Sequence, residues 1–413
     1  MSNLDSRPAA GEDPGRDARR EEGPTTWRRP MRARDREEEH RASSPLELLF
    51  DLCFVVAVAQ AAAHLHHALA EGHVGGTVLG YLMVFFAIWW AWMNFTWFAS
   101  AYDTDDVIYR LLTLLQIAGV LLLAAGVPAA FEERNFATVT AGYVLMRVAM
   151  VAQWLRVARE HPEGRRVALR YATAISVLQL GWVGLGFVPE FALQGFLLLA
   201  TLELLVPWWA EHVGPPTAWH PGHVAERYGL FTLIVLGESV LAATIAVQAA
   251  VASGGLSAPL VVTAGGGLVL IFALWWSYFD RPAGEGLRLA PRWVFGWGYG
   301  HLLVFACLAA VGAGLQVVAE TIGHHTELSE RAAALTLAVP VALYLATMGL
   351  LHSAINRYRG DQAVIRFTTV AVLIVLVALA VPPLALPTAV DLFGLLAAGL
   401  IAVDLISPPW RSG

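Results

Sequence analysis

Residues 226–250, ERYGLFTLIVLGESVLAATIAVQAA, form an apolar stretch that begins with Glu226 and Arg227 and has one further carboxylate, Glu238, near its middle. A helix of about 20 apolar residues crosses the hydrocarbon core of a bilayer. A carboxylate inside such a helix is costly unless it faces protein or water, so it is a candidate functional group by default. The stretch therefore predicts a transmembrane helix that carries a functional acid at mid-depth.

The composition of the whole chain agrees with this reading. Of its 413 residues, 57% are hydrophobic and 15% are charged, whereas a soluble protein is about half apolar and about a quarter charged. The apolar residues come in blocks of about twenty, which predicts an all-α, polytopic transmembrane helix bundle. The blocks do not alternate as β-barrel strands do. Cys53 and Cys307 both lie inside apolar runs, which argues against a disulfide framework or a zinc cluster.

The apolar blocks predict about twelve spans, with ten or eleven as alternatives. They cover approximately residues 46–68, 77–99, 108–130, 137–158, 169–188, 191–210, 229–250, 257–279, 294–318, 332–353, 364–381 and 386–406. Residues 1–44 are rich in charged residues, Pro and Gly, which predicts a disordered, charged, cytoplasmic tail.

The distribution of arginines predicts the orientation of the spans. Arginines concentrate in the loops 156–170, 280–293 and 354–366, including Arg357 and Arg359, and also in the N-terminal segment and at Arg411. With twelve spans these segments lie on one side, and the opposite loops are acidic or neutral. Basic loops mark the cytoplasmic side, so both termini are predicted to be cytoplasmic.

Similar motifs recur in the two halves of the chain, residues 45–212 and 213–413. WFASAYD (97–103) matches LWWSYFD (274–280), and RYATA (170–174) matches RFTTV (366–370). Glu47 matches Glu226, and the acid and proline at 203 and 207 match Asp404 and Pro408. Six spans per half would give both halves one orientation, which predicts a parallel 6+6 repeat like those of some secondary transporters.

Three motifs resemble those of the bacterial low temperature requirement protein A (LtrA) family. They are ELLFDLCFVVAVAQ (47–60), WWAWMNFTWF (89–98) and ERYGLFTLIVLGES (226–239). The family usually has a second aromatic residue where this chain has Leu49. The resemblance covers most of the chain after residue 44. It implies a multi-pass protein of the bacterial inner (plasma) membrane connected with cold adaptation, and it implies no particular reaction.

Polar side chains from both halves are expected at similar depths, in the inner part of the membrane and near its middle. Glu47 and Asp51 lie four residues apart on one helix face, where two carboxylates tend to share a proton. Glu238 is the strongest candidate for proton carriage, and its alternative is a structural ion pair with Arg147. The predicted proton or solute pathway consists of Glu47, Asp51, Asn94, Arg147, Glu203, Glu226, Glu238 and Asp404.

Several of these residues also have ordinary structural explanations. Glu47 and Glu226 lie near helix N-termini, where the helix dipole favours an acid. Glu203 and Asp404 each precede a proline by four residues, so they are either ligands for a cation or proton, or interfacial acids at helix ends. A histidine cluster at 64–73 is either a metal site or, as we favour, an ordinary membrane-interface cluster.

The sequence favours a transporter among three functional hypotheses. It contains no P-loop, dinucleotide fingerprint, nucleophile elbow or HExxH motif, so we expect no enzyme, no cofactor and no metal. The first hypothesis is a secondary transporter that moves an unidentified small solute, with protons as the coupling ion. The alternatives are a structural or stress-adaptation membrane protein and an intramembrane enzyme that acts on lipid. The expected partners are the lipid bilayer, the solute and protons, without nucleic acid.

Overall fold

The computed structural model describes residues 26–35, 38, 41–215, 217–252, 257–355 and 360–406. In these residues the chain is helical without strands, and 11 helices are long and apolar enough to cross a membrane. The predicted fold class, a polytopic helical bundle of ten to twelve spans, is thereby confirmed. Arg357, Arg359, Pro408, Arg411 and residues 1–25 lie outside the described residues, so the predictions that involve them stay predictions.

The described chain contains twelve long helices and one short helix, α9. In chain order they are α1 (Pro45–Ala70), α2 (Gly75–Tyr102), α3 (Val107–Glu132), α4 (Ala137–Glu160), α5 (Arg165–Leu185), α6 (Ala192–Glu211), α7 (Pro221–Ala252), α8 (Ala258–Phe279), α9 (Ala283–Leu289), α10 (Val294–Ile322), α11 (Glu330–Ile355), α12 (Gly360–Leu379) and α13 (Leu386–Ile406). Short 3-10 turns precede α6 (Pro189–Phe191) and α10 (Pro291–Trp293).

Two helices of the first half, α1 and α3, begin with a side-chain cap. At α1 the Ser44 hydroxyl accepts from the backbone N–H of Glu47, and the Glu47 carboxylate accepts from the backbone N–H of Ser44, which is a capping box. At α3 the Asp106 carboxylate accepts from the backbone N–H of Tyr109. These caps place Glu47 in the first turn of α1, as the helix-dipole explanation expects.

Helix α5 is the long helix that does not reach the apolarity of the others. Three arginines in residues 165–170 make its beginning polar. It nevertheless crosses the bundle beside α6. The Tyr171 hydroxyl, near the start of α5, donates to Glu211 at the end of α6, whereas Gly181, near its end, packs against Leu199 in the first half of α6. The two helices are therefore antiparallel.

Helix ends meet at two opposite ends of the bundle. We call the end where α1 begins the proximal end, and the other the distal end. At the proximal end Arg156, near the end of α4, pairs with Asp106 at the start of α3. At the distal end His66, near the end of α1, lies 3.0 Å from Glu320, near the end of α10. The proximal end corresponds to the side predicted to be cytoplasmic, and that assignment stays a prediction.

The two halves use similar helix neighbours. Helix α1 packs on α2 and α3, and α7 packs on α8 and α10. Helices α3 and α4 approach closely where Gly119 meets Gly142, and α10 and α11 do so where Gly314 meets Leu337. Small residues at such crossings let helix backbones approach each other in a membrane. The 6+6 repeat itself stays a prediction.

The described part of the N-terminal segment, residues 26–35, 38 and 41–44, contacts the ends of helices, and the disorder expected of residues 1–44 stays a prediction. Met31 is fully buried, and Arg28 lies 2.7 Å from Glu160 at the end of α4. Arg41 donates to the carbonyl of Ala99, 2.6 Å away, at the end of α2. Composition alone did not reveal this anchoring, because the arginines are held by carboxylates and unpaired carbonyls that the helix ends supply.

Candidate functional site

A group of buried charged side chains joins α1 to α7. We call Glu47, Asp51, His223 and Arg227 the α1–α7 charge cluster. All four side chains are 0–1% exposed. Glu47 lies in the first turn of α1 and Asp51 one turn further, so both carboxylates face α7, where His223 and Arg227 are likewise four residues apart.

Arg227 is the centre of this cluster. Its Nη1 lies 3.1 Å from Glu47 Oε1, and its Nε and Nη2 donate to the two oxygens of Asp51 at 3.1 and 2.5 Å. His223 Nε2 lies 3.2 Å from Glu47 Oε1. The indole N–H of Trp92, on α2, donates to Asp51 Oδ1 at 2.7 Å. One guanidinium therefore bridges both carboxylates of α1.

The charges of the cluster do not balance. Two carboxylates face one guanidinium, so the cluster has a net charge of −1 when His223 is neutral. A net charge away from water is strongly unfavourable, whereas paired and hydrogen-bonded charges are tolerated. One proton, on a carboxylate or on His223, makes the cluster neutral. The four side chains are therefore a candidate proton site, with the buried guanidinium of Arg41 close enough to act electrostatically on Glu47 and His223.

A second buried ion pair, in the first half, is balanced. Arg147 Nη2 lies 3.3 Å from Glu203 Oε2 and also donates to the Tyr143 hydroxyl at 2.9 Å. The indole N–H groups of Trp90 and Trp182 donate to Glu203 at 2.7 and 3.3 Å. One positive and one negative charge with three hydrogen-bonding neighbours form a typical structural pair between α4 and α6.

Glu238 lies apart from both groups of charges. Its side chain is half-buried, and it makes no hydrogen bond or ion pair within the described chain. It is eleven residues beyond Arg227 on α7, which corresponds to about 16 Å along the helix. Arg147 pairs with Glu203, so the alternative of an Arg147–Glu238 pair is not formed. The role of Glu238 as a proton carrier stays a prediction.

The two remaining predicted acids also lie outside the cluster. Asp404 accepts from Arg366 Nη1 at 2.6 Å and lies 3.6 Å from Arg281 Nη2, at the proximal end of α13. Glu226 accepts from the backbone N–H of Ser43 at 3.1 Å, and it lines a cavity of about 320 Å³ in the second half. These contacts agree with the structural explanation of both residues as acids at helix ends.

A larger cavity, of about 430 Å³, lies between the two halves. Helices α2, α4, α5 and α6 form one wall, and the start of α10 forms the other. We call it the aromatic cavity, because nearly half of its lining residues are aromatic. Its lining includes Asn94, Trp97, Trp154, Tyr171, Glu211 and Tyr299. Of the predicted pathway residues, Asn94 lies here.

Aromatic side chains connect the charge cluster to this cavity. Trp92, which donates to Asp51, packs edge-to-face on Tyr228, with ring centroids 4.8 Å apart. The Tyr228 hydroxyl in turn accepts from the indole N–H of Trp97 at 3.0 Å, and Trp97 lines the cavity. Tyr228 follows Arg227 directly in α7. Trp92, Tyr228 and Trp97 thus form a continuous chain of contacts from Asp51 to the cavity wall.

Sequence reasoning missed three members of this arrangement: Arg227, His223 and Trp92. Arg227 was visible in the ERYG motif, where two adjacent charges lie about 100° apart around a helix, so that one of them faces inward. Which of the two faces inward depends on how α7 is rotated toward α1. The sequence of α7 alone does not contain that information.

Asp103, just after α2, is an acid outside the helices whose pKa is raised. Burial raises its pKa to about 6, and the nearby negative charge of Glu47 adds to the effect. Its Oδ1 accepts from the backbone N–H of Asp105 at 2.9 Å. Asp103 therefore titrates close to neutral pH at the proximal end, next to the charge cluster.

Histidines at the distal end pair with acids. His66 lies 3.0 Å from Glu320, and His64 lies 3.8 Å from Glu132. Among the residues that the structure describes, no group of three or more His, Cys, Asp or Glu side chains is placed to hold a metal ion.

Comparison with known proteins gives a family match over most of the chain. The family model described as "Bacterial low temperature requirement A protein (LtrA)" matches residues 42–403, a range that contains the charge cluster and the aromatic cavity. An uncharacterized protein of Rhizobium meliloti (strain 1021) is 28% identical over 280 residues, which cover 62% of this chain and 62% of that relative. The match thus spans less than two thirds of the relative's length. No solved structure matches the chain.

Proposed function

The chain belongs to the bacterial low temperature requirement A (LtrA) family, and on that premise we propose that it is a proton-coupled secondary transporter of a small solute. The observation that carries the proposal is the unbalanced charge of the α1–α7 cluster, with two buried carboxylates on one guanidinium. A cluster that served only to hold helices together would be expected to balance its charges, as Arg147 and Glu203 do.

The position of the cluster supports coupling between proton and solute. It lies between the first helix of each predicted half, so its protonation changes the attraction between the halves. In alternating access, one half rocks against the other around a central site. Protonation of Asp51 weakens its bond to Arg227 and favours the conformation in which the halves separate. The aromatic cavity, reached through Trp92, Tyr228 and Trp97, is the proposed solute site.

The proposed location is the bacterial inner membrane, with both termini in the cytoplasm. Support comes from the proximal end, where Arg28, Arg41 and Arg156 lie together at helix ends. Basic residues at one end of a helical membrane protein mark the cytoplasmic side. The aromatic cavity, lined near the end of α6 and the start of α10, would then lie close to the cytoplasm. The proposal includes no catalysed reaction and no bound cofactor.

Proton flux in proteoliposomes that contain a pH-sensitive dye tests the proposal. The native chain, Asp51→Asn and Glu238→Gln are compared over a panel of small cationic, anionic and neutral solutes. We expect solute-dependent acidification by the native chain and its loss in Asp51→Asn. Glu190→Gln, a change of an exposed acid in the distal loop before α6, serves as the matched control and should keep the flux.

Two results would count against the proposal. One is the absence of solute-dependent flux from a monodisperse, correctly inserted native chain with every solute of the panel. The other is unchanged flux in Asp51→Asn, which would remove the charge cluster from the mechanism. Loss of flux in Glu238→Gln alone would move the proton site to the middle of α7.

A structural or stress-adaptation role is the second candidate, and the Arg147–Glu203 pair favours it. This pair is balanced, buried and hydrogen-bonded to aromatic side chains on α2, α4 and α5, so it stabilises the first half without any transport. If all buried charges act in this way, substitution of any of them reduces stability and none changes flux selectively. A comparison of the free energies of unfolding of Glu203→Gln and Glu47→Gln separates the two candidates.

A further inference from the structure

The aromatic cavity combines aromatic walls with one carboxylate and no basic side chain. We propose that it binds a small organic cation, an ammonium group attached to an apolar body. The inference deepens the proposed function, on which it rests for the role of the cavity as the solute site. It is carried by the chemistry of the cavity walls, by the unpaired charge of Glu211 and by the volume of the cavity.

The walls present several aromatic rings from both halves. Trp154 and Tyr171 stack with their ring centroids 4.4 Å apart, and Trp97 lies parallel to Phe295 with centroids 6.2 Å apart. Trp219 is tilted against Trp97 at 5.4 Å. A cation over an aromatic face gains about 0.5–2 kcal/mol, with the larger values in desolvated sites, and aromatic cages are the usual receptors for quaternary ammonium groups.

Glu211 supplies the charge. One of its carboxylate oxygens accepts from the Tyr171 hydroxyl at 3.0 Å and from the Thr217 hydroxyl, and the other accepts from the Thr217 backbone N–H at 2.7 Å. These donors are neutral, and Glu211 forms no ion pair in the part of the chain that the structure describes. It also ends α6, where the helix dipole is negative. The local potential is therefore negative and favours a cation over an anion.

No positive side chain competes for this carboxylate at the cavity surface. The lining residues are apolar, aromatic, or carry amide and hydroxyl groups, and Glu211 is the charged group among those described. The volume of about 430 Å³ falls within the range of about 300–1,000 Å³ that is usual for small-molecule sites. The cavity therefore has room for an ammonium group with an aromatic or branched apolar substituent.

The test is a charge series of small ligands on the full chain, purified in detergent. Benzyltrimethylammonium, benzyl alcohol and benzoate share one aromatic ring and differ in charge. Calorimetry measures their affinities, and tryptophan fluorescence reports contact with the cavity walls. We expect benzyltrimethylammonium to bind at least ten-fold more tightly than either of the other two. Glu211→Gln should weaken the cation at least ten-fold, and Glu211→Asp should recover part of the loss.

Glu190→Gln is the control, since it removes an exposed carboxylate at the distal end and should leave the affinity unchanged. Equal or tighter binding of benzoate or benzyl alcohol would overturn the inference, and so would an unchanged affinity in Glu211→Gln. If Glu211→Gln is not monodisperse, the charge series on the native chain decides the matter by itself.

The binding assay also separates this inference from the proposed function. Binding of the ammonium without proton flux in proteoliposomes would retain the cation site and reject coupled transport. Proton flux driven by a neutral or anionic solute, without ammonium binding, would retain transport and reject the cation site.

Discussion

The difference between balanced and unbalanced buried charges leads to a quantitative prediction. Glu203→Gln removes the single carboxylate that faces Arg147, so a guanidinium that is 4% exposed remains without a counter-charge. Glu47→Gln also removes a fully buried carboxylate, but Asp51 continues to bind Arg227 through two nitrogens. The two substitutions are chemically identical, and their expected effects on stability are very different.

The magnitudes follow from the contacts. Removal of one partner of a buried ion pair costs about 3–5 kcal/mol, so we expect that loss in the free energy of unfolding for Glu203→Gln. Arg147→Met together with Glu203→Gln removes both charges and should recover all but about 1 kcal/mol. In Glu47→Gln the side-chain oxygen can still accept from the Ser44 backbone N–H, and the cluster becomes neutral. We therefore expect a cost of about 1 kcal/mol or less.

The measurement is unfolding of the purified variants in mixed detergent micelles by increasing SDS, followed by tryptophan fluorescence. Glu133→Gln, in the exposed distal loop, serves as the control and should match the native chain. If Glu47→Gln costs as much as Glu203→Gln, the charge cluster does not carry an excess charge and the argument for a proton site fails. Failure of the double variant to recover would show that Arg147 and Glu203 do not act as a pair.

Three further predictions concern pH, helix packing and the N-terminal segment. Because the pKa of Asp103 is about 6 in the folded chain and 3.8 as a free side chain, the native chain loses stability as pH rises from 4 through 6. Asp103→Asn cannot titrate, so between pH 4 and pH 7 its free energy of unfolding should rise by about 1–2 kcal/mol relative to that of the native chain; this value is smaller than the full pKa shift implies because Asp103 is partly exposed. Unfolding measured over this pH range tests the prediction, and a difference between the two chains that does not change with pH would refute it. A Cβ on Gly142 would lie 2.5 Å from a backbone oxygen of α3, so Gly142→Ala should lower the free energy of unfolding by about 1–3 kcal/mol. Gly184 has open space around it, so the control Gly184→Ala should leave the free energy of unfolding unchanged or raise it. Arg28→Ala removes an exposed salt bridge to Glu160, so it should change the global free energy of unfolding by less than about 1 kcal/mol. It should nevertheless increase protease cleavage within residues 26–35, and unchanged cleavage would contradict the anchoring of this segment.

The fold class was predictable because membrane insertion depends on local composition. Each apolar block of about twenty residues specifies a span by itself, without information from the other blocks. Helix α5 does not reach the apolarity of the other long helices, and its three early arginines lower that apolarity; it nevertheless packs antiparallel beside α6. The contacts of the described residues 26–35 were not predictable either, because they depend on groups at helix ends that composition does not reveal.

Two acids of the candidate site were predictable from the sequence, but their partners were not. Glu47 and Asp51 were identified as acids on one helix face, and the structure brings them together. Their partner Arg227 was not identified, and Arg147 was paired with Glu238 instead of Glu203. Asn94 was identified only from its expected depth in the membrane. The cavity that it lines was not predictable, because helices from both halves form it.

The sequence by itself determined that the protein is a bundle of apolar helices and which segments form most of the spans, because apolarity is a property of a single segment. It did not determine every helix start, since the span predicted from residue 229 is a helix that begins at Pro221. Only the tertiary structure decided which charges neutralise one another. A partner is chosen by the lateral position and rotation of each helix in the bundle, and these are set by the packing of all helices together. This packing leaves Asp51 and Glu47 with one guanidinium between them, and it leaves Glu211 without one.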